Sequence, residues 1–194
     1  MQDVMDAYAA AATAHFVAAY ECIPPENIYK HVIDLLPSFS AKVADIGAGT
    51  GRDAAWFARK GHNVLAVEPV RELRDAGQAL HIEANITWLD DRLPHLCAMS
   101  AYEPFDLITL CAVWQHLSDG ERAIAIPRLA KAIAPEGVLI MSLRHGPGDM
   151  TRRVVPVLPE MTIAMADACG LRLVRRRHSE SIQASNRAMG VRWT

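Results

Sequence analysis

The residues with chemistry to offer are three acidic positions set around three closely spaced glycines. In "KVADIGAGTGRDAAWFARKG" the pattern is Asp45-x-Gly47-x-Gly49-x-Gly51, with Ala48 inside the turn. Glycines there let the backbone turn sharply and let a ligand approach closer than a Cβ would permit. A dinucleotide fingerprint, G-x-G-x-x-G, needs a glycine at position 52, and Arg52 stands there instead. A carboxylate two residues before the first glycine opposes a pyrophosphate and suits a ligand with a cationic group. No Gly-Lys-Ser/Thr follows, which excludes a P-loop. Glu68 lies about 20 residues beyond the loop, where an acid accepts hydrogen bonds from both ribose hydroxyls in nucleoside-binding folds of this kind. Asp90 and Asp91 close a later apolar run, placed to accept from an adenine amino group.

These positions must be held by the elements around them. "KVADI", "HNVLAVE", "ITWL", "FDLITLCAV" and "GVLIMSL" read as buried strands, the last following an "APEG" turn. Between them, "GRDAAWFARK" reads as a helix closed by Gly61, and residues 70–83 as a second crossover helix. "LSDGERAIAIPRLAKAIA" opens with a Ser118-x-x-Glu121 capping box, and Pro127 should kink or split it. A helical segment to about Tyr20 and another over 26–36 precede the first strand. "MTIAMADACG" is expected to be helical with Gly170 as its stop, and "LRLVRRR" and "GVRWT" to be late strands. Strands that are continuous Val/Ile/Leu runs, each followed by a helix, imply an α/β fold: a doubly wound, mostly parallel sheet in three α/β/α layers. The acids and glycines then fall at the carboxyl ends of three consecutive strands, where ligands bind in such sheets.

Bulk properties set bounds. A chain of 194 residues, 51% hydrophobic and 22% charged, suffices for one domain with a sizeable core. The expected division is a single domain over 1–194, with 1–38 as a helical lid and 40–194 as the core. A net charge of −2 gives no global reason for a polyanionic partner. Residues 144–194 hold nine arginines against four acids, but no aromatics interleave them, so a solvated strand edge is preferred over a nucleic-acid footprint. Four scattered cysteines and eight scattered histidines form no metal signature, and reduced thiols in a cytoplasmic protein are expected. The N-terminus has no basic n-region, and no apolar run approaches the roughly 20 residues of a membrane span.

With these residues in view, "VADIGAGTGRDAAWFARKGHNVLAVEP", "WLDDRLP", "FDLITLCAVWQHL" and "PEGVLIMSL" resemble a class I S-adenosylmethionine-dependent methyltransferase. The likeness covers roughly residues 40–143. It implies a Rossmann-like sheet in the order 3-2-1-4-5-7-6 with an antiparallel seventh strand. It further implies that Asp45, Gly47, Ala48, Gly49 and Gly51 surround the methionine part of S-adenosylmethionine, with product S-adenosylhomocysteine. Glu68 would take the ribose hydroxyls, Pro69 lie beside the adenine, and Asp90, or second Asp91, take the adenine amino group. Asp91 or Arg92 would offer a backbone N–H to the ring. Leu110 and Cys111 would present backbone to the methionyl group, and Arg52 or Asp53 reach its carboxylate or amine.

Methyl transfer from a sulfonium is an in-line displacement, so a protein base is optional. His116 is placed as base or acceptor-positioning residue, or as a packed histidine. Trp114, Gln115, Tyr20 and Arg144 are candidates for the acceptor site, Trp114 being equally a core residue. Tyr8 and Tyr20 would close a lid over the cofactor. The acceptor pocket is expected within residues 1–25 and 144–165. Nucleic-acid amino-methyltransferases carry an acidic or Asn-Pro-Pro-aromatic tetrapeptide after the fourth strand. Here that position reads "CAVW", and Cys111 lacks the preceding proline of the cysteine-nucleophile type. A small-molecule acceptor is favoured. A non-catalytic cofactor-binding domain and, further off, an NAD(P)-dependent oxidoreductase are the alternatives. Acceptor identity and oligomeric state are not written in the sequence.

Overall fold

The computed structural model describes residues 1–82, 84–148 and 152–194. Five strands form one parallel sheet: β1 (Lys42–Ile46), β2 (Asn63–Val67), β3 (Ile86–Leu89), β4 (Phe105–Leu110) and β5 (Ile133–Met141), in the order β3-β2-β1-β4-β5. Alternation along the strands makes two cores. Ala44, Ile46, Leu65, Val67, Ile108 and Leu110 pack on one face with Ile126 and Leu129 of α6 (Asp119–Ala132). Val43, Val64, Ala66 and Leu107 pack on the other with Trp56 and Phe57 of α4 (Arg52–Arg59). Each fully buried large side chain such as Phe57 contributes about 1.5–3 kcal/mol.

The crossover helix expected over 70–83 is α5 (Arg71–Leu80); position 83 lies outside the described residues. The capping box of α6 is formed on both sides, and Gly61 takes φ 89° past the end of α4. Pro127 does not split α6, which continues through it from Asp119 to Ala132. Its buried Ala125, Ile126, Leu129 and Ala132 dock the helix along the sheet, and that packing outweighs the one backbone bond the proline cannot make. "APEG" is no turn between elements but a bulge within β5. The register against β4 slips there, and Glu136 takes φ 63°.

Three other segments differ from expectation. The N-terminal helix is two, α1 (Gln2–Ala11) and α2 (Ala14–Glu21), because the Thr13 hydroxyl caps α2 by accepting from Phe16 N. The helix expected over 26–36 shortens to α3 (Pro25–Tyr29) and a 3₁₀ turn at Ile33–Leu35, with Tyr29 drawn into the core. "LRLVRRR" forms no strand, and Leu173 and Val174 are both exposed. Strand pairing resumes only in a small antiparallel sheet, order β6-β8-β7, built from β6 (Arg144–His145), β7 (Ser179–Glu180) and β8 (Arg192–Trp193). The helices α7 (Pro159–Asp167) and α8 (Ala184–Ala188) lie between its strands in sequence, α7 after β6 and α8 after β7, and Gly170 (φ 83°) follows α7. The antiparallel last strand is therefore present, but in a separate sheet rather than one continuous seven-stranded one. Leu143 and Thr194 exchange both backbone bonds, at 2.8 and 3.0 Å, so β8 lies beside the chain that leaves β5.

Candidate functional site

The glycine loop joins β1 to α4. Gly47, Gly49 and Gly51 all have positive φ, at 72°, 58° and 79°, a region that L side chains seldom adopt. The loop is tied to the next strand by its own backbone: Gly47 N and Ala48 N both donate to Val67 O. Glu68 completes the tie. It is 4% exposed, and its Oε2 accepts from Gly49 N at 2.7 Å while Oε1 accepts from Val70 N at 2.8 Å. Burial pushes its carboxyl above the ordinary value, against the pull of those two N–H groups.

Asp45 stands at the C-terminal end of β1, 3% exposed. A hydroxyl, Thr109 Oγ1, donates to it at 2.9 Å. Asp53 in α4 is better supplied, receiving Arg52 Nε at 2.7 Å and the Tyr29 hydroxyl at 3.1 Å. Burial first, and then the neighbouring Asp53 charge, raise the Asp45 carboxyl to about 7. The Tyr29 hydroxyl also lies 3.3 Å from Cys111 Sγ, and burial among these acids holds both groups well above their usual values. Arg52 reaches back to the Tyr20 carbonyl at 3.0 Å, fixing α2 to the loop.

The acids after β3 divide their work. Asp90 is exposed, with Oδ2 3.1 Å from an Arg74 guanidinium nitrogen. Arg74 also donates to the Glu68 carbonyl at 2.6 Å, so one side chain spans the ends of β2 and β3. Asp91 is spent on its own loop, accepting from Arg92 N and Met99 N. Pro69 is half-buried, and Arg92 reaches Gln2 and Met5 of α1.

A cavity of about 1000 Å³ brings one group of the expected residues together: Asp45, Gly47, Ala48, Gly49, Asp53 and Cys111 on the loop side, facing Tyr20, His116 and Arg144. Tyr8, Tyr29, Arg52, Gln115 and Arg152 also line it. Gly51, Glu68, Pro69, Asp90, Asp91 and Arg92 lie outside its wall; Glu68 reaches it through Gly49. Trp114 is wholly buried with Nε1 donating to Thr162 Oγ1 at 3.2 Å, so it belongs to the core and not to an acceptor pocket. Of the expected pocket segments, residues 149–151 lie outside the described residues. Among the described residues no metal-binding cluster forms, the four cysteines are free, and no helix is long and apolar enough to cross a membrane.

Sequence reasoning missed Tyr29, Arg74, Thr109 and Gly77. Arg74 had a readable signal, a base one turn into the helix after an acid-ended strand; the others are joined only by folding. Gly77 of α5 packs against the loop, and a Cβ there would meet the Thr50 carbonyl at 2.5 Å. Alanine favours a helix over glycine by about 1 kcal/mol, yet Gly77→Ala is expected to destabilise by about 1–3 kcal/mol, because backbone must move. Urea unfolding checks this, and a net stabilisation would show the contact to be soft.

Residues 43–137 match a family described as "Methyltransferase domain". An uncharacterised methyltransferase of Mycobacterium tuberculosis is 30% identical over 131 residues, covering 63% of this chain and 48% of its own. One from Staphylococcus carnosus is 28% identical over 116 residues, covering 59% and 53%. The chain thus spans about half the length of the curated relatives it matches. Among solved structures, a Leishmania major S-adenosylmethionine-dependent methyltransferase superposes with TM-score 0.74 at 15% identity, over 98% of this chain and 80% of that one. A Burkholderia thailandensis 1,6-didemethyltoxoflavin-N1-methyltransferase, with bound 1,6-didemethyltoxoflavin and S-adenosylhomocysteine, gives TM-score 0.65 at 17% identity, over 89% and 74%. The glycine loop, its two supporting acids and these likenesses agree: residues 43–137 match a methyltransferase domain, and the chain has the Rossmann-like fold of S-adenosylmethionine-dependent methyltransferases.

Proposed function

We propose that this protein transfers a methyl group from S-adenosylmethionine to a small-molecule acceptor by in-line displacement. The observation that carries the reading is Asp45, a buried carboxylate beside a positive-φ glycine loop, held by a hydroxyl and facing a second acid. Such a site is costly for an anion and favourable for a cation, which fits a sulfonium amino acid and not a pyrophosphate. Asp45 and Asp53 would hold the amino-acid end, and the loop glycines give it room. Glu68 would accept from the ribose hydroxyls, and Asp90, with Pro69 and the Asp91–Arg92 backbone, would frame the adenine. When bound, the cofactor supplies an activated methyl group on sulfur.

The chain's own part is alignment, an effect that contributes up to roughly 7–11 kcal/mol. Tyr8 and Tyr20 cover the cavity from α1 and α2, with 1–38 as lid and 40–194 as core of one domain. His116 is not free to act alone as base: Nδ1 lies 2.7 Å from Arg153 O and Nε2 3.1 Å from the Tyr8 hydroxyl. The small-molecule acceptor is supported by the cavity of about 1000 Å³ beside the glycine loop and by the Burkholderia neighbour, whose structure holds one. A cytoplasmic location belongs to the same reading and rests on the four free thiols.

The test is release of S-adenosylhomocysteine from S-adenosylmethionine in the presence of pooled phenols, heteroaromatic amines, carboxylic acids and thiols. Acceptor-dependent release is expected. Tight cofactor binding with no release from any pool would favour a non-catalytic binding domain.

A further inference from the structure

Helix α2 reaches the cavity through Tyr20 without belonging to the core: none of its eight residues is buried. A helix of this length is marginal in water by itself, so its place depends on the contacts it makes. Its last residue is Glu21, an acid where the helix dipole favours a base. Nothing within the helix accounts for that choice, and the reason lies across the fold.

Towards α1 the contacts are aromatic. The Phe16 ring lies 6.3 Å from that of Tyr8, and the Tyr8 and Tyr20 hydroxyls are hydrogen-bonded. Helix α1 is itself anchored, by buried Val4 and by Arg92 on Gln2 and Met5. Towards the sheet the contacts of α2 are polar and gathered at its C-terminal end. Glu21 Oε1 accepts from the Thr50 hydroxyl of the glycine loop, and Oε2 lies 3.3 Å from Nε2 of His81, which follows α5. Arg52 adds its bond to the Tyr20 carbonyl at 3.0 Å. The receiving side is firm: Thr50 is buried, its carbonyl lies against Gly77, and Trp88 and His81 pack over Gly51. Against burial, which raises it, the bonds from His81 and Thr50 and the Arg52 charge hold the Glu21 carboxyl below its ordinary value. Tyr20, Thr50 and Arg52 line the cavity, whereas Glu21 and His81 stand outside its wall.

We propose that α2 is the gate through which S-adenosylmethionine enters and leaves, and that Glu21 is its latch. This rests on the methyltransferase reading of the cavity. The gate is hinged at 12–13 and 22–24, short links without a buried residue on either side of α2. Glu21 is a positioning residue: bridging Thr50 and His81, it holds α2 down on the loop, and Tyr20 with it. Because Glu21 does not touch the cavity, the latch stabilises the closed gate alike with and without ligand. Entry and exit both need the gate open, so loss of the latch speeds both and leaves the binding equilibrium where it was.

Two measurements test this. Stopped-flow mixing with S-adenosylhomocysteine, followed by the fluorescence of Trp88 and the other tryptophans, gives the association and release rate constants. In Glu21→Ala both are expected to rise on the order of tenfold, the effect of one lost charged hydrogen bond, with Kd unchanged. Thr50→Val should act in the same direction, and combining it with Glu21→Ala should add nothing to Glu21→Ala alone. Hydrogen exchange of the ligand-free protein supplies the second reading. The amides of α2 should exchange faster in Glu21→Ala, and those of β1 and α6 as before. Unchanged rate constants, a faster release with unchanged association, or faster exchange spread over the whole chain would overturn the proposal. If the unaltered protein does not bind S-adenosylhomocysteine, the methyltransferase reading fails, and hydrogen exchange then decides the latch by itself.

Discussion

Glu68→Ala is expected to lose S-adenosylmethionine binding by about 100-fold or more and to unfold at lower denaturant. Both losses have one cause, since the carboxylate works on two sides. Inward, it accepts from Gly49 N and Val70 N. Removing it leaves two N–H groups without their acceptor in a site 4% exposed, at about 1–3 kcal/mol each. Outward, it is the acceptor proposed for the ribose hydroxyls. Hydrogen bonds to a charged group contribute about 1.5–3 kcal/mol apiece, and two of them make up at least the 100-fold. Glu68→Gln separates the roles in part, because one amide oxygen can still accept from the loop. It should recover some stability and little affinity. Chemical unfolding with calorimetric titration checks both, and full affinity in either variant would remove Glu68 from the cofactor site.

The second large effect is a pH dependence centred on Asp45. Its carboxyl is raised from 3.8 to about 7 by burial and the Asp53 charge. The folded protein therefore keeps that proton over a range where the unfolded chain has released it. The contribution to stability is complete below about pH 4 and is lost as pH rises to about 7. A cationic ligand has the opposite preference and favours the ionised carboxylate. Binding below pH 7 should then release a proton, and affinity should rise on the order of tenfold between pH 5.5 and 7. Glu68, also raised by burial, acts in the same direction. Asp45→Asn isolates the first group: it should bind weakly, with a flatter profile and a ligand-free stability that no longer declines over this range. Thermal unfolding with and without ligand at several pH values measures all three, and an unchanged profile in the variant would assign the titration elsewhere.

Much of this could be read from the chain because it is local. The spacing from Asp45 to Gly51 sets the loop, the interval to Glu68 sets the neighbouring strand end, and strands buried on both faces declare themselves as apolar runs. What stayed hidden depends on contacts between distant segments. Tyr29 meets Asp53 and Cys111 only after folding, and Gly77 looks like a poor helix residue until Thr50 lies against it. Pro127 does not end its helix because a local rule is outweighed by a buried helix face. "LRLVRRR" misled because strand propensity needs a partner, and the segment at 171–177 forms no strand. Trp114 and His116, adjacent to the site in sequence, part company in space: the indole enters the core, while the imidazole reaches the cavity wall with both nitrogens engaged.

The central claim is that the glycine loop holds S-adenosylmethionine, and it is tested most directly by calorimetric titration of the folded protein at pH 7.5 with S-adenosylmethionine and, in parallel, NADH. The account predicts one site per chain with micromolar affinity for S-adenosylmethionine, and no heat of binding for NADH. Binding of NADH in place of S-adenosylmethionine, or of neither ligand by a folded sample, would contradict it.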